Sequence, residues 1–211
     1  MFYSILLYVT LIAGCTPLGL FLAGHKYNNQ ANRVVLPLVG LMTFSSAYEY
    51  VVSLKMGVSV VLWYLIYPAF EFATLYFLFE NYITQRPKWL FHSLLGLFLL
   101  FYILSLCCFD TDSYLMSTGI NKIYSTFFVL LCTFLWVRQV SNQKKILKLY
   151  NESQFFIVMG LFFYYVTTIS VFTLLGFIDK SDLYIYDYWL VNIIASLILR
   201  ITISIGVCKM I

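Results

Sequence analysis

Seven apolar stretches, each long enough to cross a bilayer, fill almost all of this 211-residue sequence and leave no segment large enough to build a core in water. They run approximately Phe2–Gly24, Val34–Leu54, Met56–Phe79, Trp89–Phe109, Ile123–Val140, Phe155–Ile178 and Leu190–Ile211. A helix needs roughly 20 apolar residues to cross the hydrocarbon layer. A chain in lipid must also satisfy its backbone N–H and C=O groups within each crossing, so the runs are read as helices. Composition closes off the soluble alternative: only 10% of the residues are charged and 62% are hydrophobic, where a soluble domain is charged at about one position in four, and mean hydropathy is +0.88. The expected fold is therefore all-α, a polytopic membrane protein made of a single seven-helix transmembrane bundle.

The first run lacks the basic flank and the short apolar centre of a cleaved signal peptide, and is read as the first spanning helix. All five cysteines, Cys15, Cys107, Cys108, Cys132 and Cys208, fall within spans and show no C-x-x-C pairing. They are expected to be small packing residues. Orientation follows from lysine and arginine, which stay on the cytoplasmic side. Lys26, Arg33, Arg86, Lys88, Arg138, Lys144, Lys145, Lys148 and Lys209 share one side, whereas Lys55, Lys122 and Lys180 are placed on the other, with Asp110, Asp112, Asp179, Asp182 and Asp187. This predicts the amino terminus outside and the carboxyl terminus in the cytoplasm, with Tyr184, Tyr186, Tyr188 and Trp189 anchoring the outer mouth of the seventh helix.

One connection stands out. Around Ser141–Gln154 the chain reads SNQKKILKLYNESQ, a short basic amphipathic segment in which Ile146, Leu147 and Tyr150 accompany the lysines. Lys144, Lys145 and Lys148 suit either anionic lipid headgroups, at about 1 kcal/mol per lysine, or a cytoplasmic partner. No linker, low-complexity tract or repeat divides the chain, and an odd number of spans argues against two equal inverted halves.

Chemistry is to be sought among the charges that a bilayer penalises. Glu49, Glu71 and Arg200 fall inside the spans. By depth, Glu71 and Arg200 are the expected pair, with Glu49 nearer the outer surface above Ser45 and Ser46. On the seventh helix Asn192, Ser196, Arg200 and Ser204 recur every four residues, which marks a face turned inward. Tyr64, Tyr67, Pro68 and Glu71 share a face of the third helix, and the sixth adds Tyr164, Tyr165, Thr167, Thr168 and Ser170. Together they predict a polar, aromatic-lined cavity in the outer half of the bundle, serving as a structural network, a ligand pocket or an ion path.

Catalysis finds no support in the residues. His25 and His92 are isolated, so no metal-ligand cluster is spelled out, and no cofactor site is predicted. No G-x-S-x-G appears. The seventh helix offers Arg200 where a Schiff base would need lysine.

The stretch TFSSAYEYVVSL (Thr43–Leu54), followed by LWYLIYPAFEFATLYFLFENYI (Leu62–Ile83) and the basic, tryptophan-led RPKWL, resembles the seven-helix membrane sensor region at the amino terminus of many bacterial histidine kinases. Glu49, Tyr67 and Pro68 are the matching positions, within roughly Thr43–Leu90. The resemblance implies a receptor-like sensor or regulatory subunit in a bacterial inner membrane, binding a small or lipidic ligand among its helices. No output domain follows Ile211, so a signal is expected to pass to a separate protein at the Ser141–Gln154 loop. Two alternatives stay open, an accessory or effector membrane protein of a defence system, CRISPR-associated for example, and a small transporter or channel. The expected partners are the lipid bilayer and that cytoplasmic protein, with assembly into a homo-oligomer left open and no direct contact with nucleic acid.

Overall fold

A computed structural model of the chain describes residues 2–24, 30–58, 61–84, 88–107, 109, 114–142, 152–178 and 185–210. The regular elements among them are all helices: α1 (Phe2–Ala23), α2 (Gln30–Tyr48) running into a π-helical segment (Glu49–Lys55), α3 (Val61–Tyr82), α4 (Lys88–Cys107), α5 (Tyr114–Asn142), α6 (Ser153–Ile178) and α7 (Ile185–Cys208). Each of the seven is long and apolar enough to cross a membrane, which makes this an integral membrane protein.

Three helix starts differ from the sequence reading by five residues or more: Val61 rather than Met56 for α3, Tyr114 rather than Ile123 for α5, and Ile185 rather than Leu190 for α7. The second span does not lead directly into the third at Met56. Its last turns widen into the π-helix, Met56 N–H donates back to the Val51 carbonyl, and Gly57, at φ 64°, ends the element in the left-handed conformation that glycine adopts without strain. The fifth helix starts at Tyr114 rather than Ile123, and therefore takes Lys122 into the bundle. The Lys144, Lys145 and Lys148 segment lies outside the described residues, as does the connection carrying Lys180.

The helices form a ring. α1, α2, α3, α5, α6 and α7 each pack on their neighbours, with α3 directly on α5 and α7 closing back on α1, while α4 lies outside across α3 and α5. Burial agrees: 56% of the most apolar stretch of α5 is buried, against 22% for α4. Hydrogen bonds fasten α4 in place, from Tyr102 to the Leu65 carbonyl (3.1 Å), from Tyr124 to the Leu94 carbonyl and from Asn121 to Ser105 Oγ (2.7 Å). Phe72 and Phe98 stack between α3 and α4 with ring centroids 3.8 Å apart. Lipid tails are as apolar as leucine, so helices associate here through close packing and hydrogen bonds rather than through hydrophobic transfer. Glycines set the closest approaches. A Cβ on Gly160 would lie 2.2 Å from Thr202 Oγ1, and one on Gly119 would lie 2.8 Å from the Phe172 carbonyl oxygen, so α6 meets α7 and α5 only because these positions carry no side chain.

The two halves of the ring differ in filling. In the half that holds the later turns of α1, Leu75, Leu78, Phe79, Phe128, Val129, Ile157 and Ile203 are completely or almost completely buried and form an apolar plug. The other half, where α1 begins, is not filled.

Candidate functional site: a charged cavity inside the ring

That unfilled half holds a cavity of about 210 Å³, lined by α1, α2, the π-helical segment, α3, α5, α6 and α7 but not by α4. A smaller chamber of about 70 Å³ continues it toward the plug and shares Ser45, Tyr67, Glu71, Tyr164, Ser196 and Arg200 with it. Four formally charged side chains line the main cavity, Glu49, Glu71, Lys122 and Arg200.

The expected Glu71–Arg200 pair is not formed. Lys122 Nζ lies 2.8 Å from Glu71 Oε1, with both side chains under one-tenth exposed, so the acid of α3 is neutralised from α5. Hydropathy alone places Lys122 in a loop, because the polar run ahead of it resembles a connection. Inside the helix, its ammonium also donates to the Tyr164 hydroxyl (3.3 Å) and lies 4.6, 4.4 and 5.4 Å from the ring centroids of Tyr164, Tyr165 and Phe172. Tyr67 donates a long hydrogen bond, 3.5 Å, to Glu71. The buried charge is thus compensated by one short ion pair and by aromatic faces.

Arg200 turns the other way. Its Nη1 donates to the Thr10 carbonyl of α1, and Gly14 one turn on gives the guanidinium room, since a Cβ there would fall 3.2 Å from Arg200 Cζ and 2.1 Å from Ser46 Oγ. The opposing charge is Glu49, at the start of the π-helical segment. Among the described residues the two line the same cavity without forming an ion pair within 4 Å. Among the described residues the guanidinium, with five donors, makes one hydrogen bond, to the Thr10 carbonyl, and shares the cavity lining with the Glu49 carboxylate.

The rest of the lining is polar or aromatic. Asn192, Ser196 and Arg200 of α7 all point inward as their spacing predicts, while Ser204, one turn further, lies 3.2 Å from Thr16 Oγ1 of α1. Tyr64, Tyr67, Pro68 and Glu71 line it from α3, and Ser45 from α2. Asn121 is 3% exposed, and although its amide nitrogen donates to Ser105, its Oδ1 meets no donor among the described residues. At the mouth, Tyr48 stacks on Trp63 at 4.8 Å between centroids, and Trp189 stands on α7. The sixth helix fits the expectation only in part. Tyr164 and Tyr165 face inward, but Thr167 and Ser170 face outward and bond to carbonyls of their own helix, which lets a hydroxyl sit in lipid. Of the four cysteines whose side chains are described, only Cys132 is a core residue; Cys15, Cys107 and Cys208 face outward.

Fold and site define a seven-helix integral membrane protein with an internal charged cavity closed toward one end. No protein-family model, curated protein or solved structure matches the chain.

Proposed function

We propose that the chain is a receptor-like membrane sensor or regulatory subunit that binds a ligand between Glu49 and Arg200 and signals to a separate cytoplasmic partner. The open gap between these two charges carries the reading. A bilayer interior tolerates charge only where it is paired or faces a polar cavity, and the same cavity shows what a satisfied pair looks like in Lys122–Glu71. A ligand offering an anion to Arg200 and a donor to Glu49 completes the second pair. Three further features favour the reading. The unmet Asn121 acceptor lies in the same lining. Glu49, Tyr67 and Pro68, which carry the resemblance to kinase sensor regions, all line the cavity. Among the described residues the inner half of the ring is packed with apolar side chains, which favours a closed cavity over a transport route. With the amino terminus outside, the cavity opens outward and the lysine loop faces the cytoplasm; moving Lys122 into α5 leaves only Lys55 and Lys180 outside, sharpening the charge asymmetry.

Native mass spectrometry of the protein released from its membranes tests this. Wild type is expected to retain a small molecule that E49Q and R200Q both lose, while E49Q unfolds within about 1 kcal/mol of wild type, because a charge without a partner contributes little to the empty fold. An E49Q loss of about 3 kcal/mol or more, or an adduct indifferent to both substitutions, would show a structural pair instead.

A further inference from the structure

The cavity has a neighbour on the lipid side. Between α6 and α7 an almost wholly apolar groove of about 380 Å³ is lined by Phe163, Tyr164 and Thr167 of one helix and Val191, Ile194, Ala195 and Ile198 of the other. Tyr164 belongs to this groove, to the main cavity and to the deeper chamber alike. Its neighbours on α7 alternate between the two spaces, Asn192, Ile193, Ser196 and Arg200 inside and Val191, Ile194, Ala195 and Ile198 on the groove. The helices meet tightly where Gly160 faces Thr202 and Gly206 faces Ile157. One turn further along α6 the groove and cavity lie on either side of the Tyr164 ring.

The bonds holding that ring are the weak ones of the site. Its hydroxyl accepts from Lys122 at 3.3 Å and donates to Asn192 at 3.4 Å, against 2.8 Å for Lys122–Glu71. Swinging Tyr164 aside loses two long hydrogen bonds, the contact of its ring with the Lys122 ammonium (4.6 Å) and the edge contact with Tyr165 (5.2 Å), and leaves the ion pair standing. The head that the cavity would receive is defined by charge. Its four formally charged side chains sum to zero, so a net-neutral guest adds no net charge to a low-dielectric site. Arg200 can take an anion in bidentate fashion, and Glu49, which shares the lining with the aromatic side chains Tyr48, Trp63 and Tyr64, favours a cation.

We propose that the ligand is a zwitterionic single-chain amphiphile that reaches the cavity sideways from the bilayer, its head bridging Glu49 and Arg200, its chain lying in the α6–α7 groove, and Tyr164 acting as the latch. The proposal rests on the ligand reading of the cavity and goes beyond it by naming the ligand class and its route.

A matched pair of probes separates the two layers of argument: N-dodecyl-N,N-dimethylglycine below its micellar concentration, and trimethylglycine, which is the same head without the chain. Both are added to the protein in lipid nanodiscs and the unfolding midpoint is read, with dodecanol as the chain alone. The dodecyl zwitterion is expected to raise the wild-type midpoint by about 5–10 °C at a hundredfold excess over its dissociation constant, with a smaller rise from trimethylglycine and none from dodecanol. R200Q is expected to abolish both rises. A195F fills the groove floor, and V191W blocks its lipid-facing mouth at a position where folding tolerates bulk; each is expected to erase the gain from the chain while leaving the response to trimethylglycine. Equal shifts from the two zwitterions, or a chain gain that survives V191W, would overturn the lateral route and leave the cavity reading intact. No shift from either zwitterion, or shifts that persist in R200Q, would overturn the head assignment and the proposal with it.

Discussion

Replacing Lys122 by methionine removes one charge and keeps the length of the side chain, and it isolates what holds the centre of the bundle together. Glu71 would then be left 6% exposed, supported by the hydroxyls of Tyr67 (3.5 Å) and Tyr165 alone among the described side chains. Breaking a buried pair by removing one partner costs about 3–5 kcal/mol, because a charge stays behind without compensation. E71Q is not its mirror image. The ammonium it strands keeps the Tyr164 hydroxyl and three aromatic faces within 5.4 Å, each worth about 0.5–2 kcal/mol, so E71Q is expected to cost about 1–2 kcal/mol less than K122M. The double variant buries no charge and should lie within about 1 kcal/mol of wild type, since neutral replacement of a buried pair is often close to neutral. Equilibrium unfolding in mixed micelles across this cycle, with helix content followed by circular dichroism, gives the coupling. An E71Q cost above that of K122M, or additive single losses in the double variant, would refute the pairing and the aromatic compensation.

Two further outcomes follow from particular contacts. G14A places a methyl 2.1 Å from Ser46 Oγ and beside Arg200, so α1 must move, at about 1–3 kcal/mol; the same unfolding assay should show S46A recovering part of that loss, and an unperturbed single variant would remove the close approach of α1, α2 and α7. In a tagged pull-down from solubilised membranes, the triple alanine variant of Lys144, Lys145 and Lys148 should lose a soluble partner that wild type retains, and an identical protein set from both would place the loop against headgroups alone.

How much of this was legible in advance depends on which solvent imposed the constraint. Lipid demands about 20 apolar residues per crossing, so six of the seven spans could be placed to within a few residues. The fifth span was cut short because Ser117, Asn121 and Lys122 look like loop residues when only hydropathy is read. Yet Ser117, Asn121 and Ser125 recur every four residues, with Lys122 and Thr126 beside them, and all five are buried. That spacing is the signature of a polar helix face, the same signal that placed Asn192, Ser196 and Arg200 correctly on α7. Hydropathy alone leaves Lys122 outside the membrane and Arg200 as the base nearest in depth to Glu71. Thr167 and Ser170 misled for the opposite reason. Hydroxyls that bond to their own helix satisfy themselves, so their presence says nothing about which face is inside.

In the proposed reading, the position of Glu49 links the cavity to a switch. A π-helical turn holds more residues than an α turn and occurs most often as a local feature at functional sites, and here it begins at the acid that faces Arg200. The apolar plug below keeps the other half of the ring packed, so movement on binding is best accommodated at the open end, where α2 widens and the Tyr48–Trp63 stack ties it to α3. In the proposed reading, a ligand that closes the gap draws the π-helical segment toward α7, and Arg200, held to the Thr10 carbonyl, carries the pull to α1. Such a switch shifts only by the difference in ligand affinity between its two states. In this reading Glu49 and Arg200 supply that difference, because a bridging ligand binds the arrangement that brings them together more tightly than the one that holds them apart.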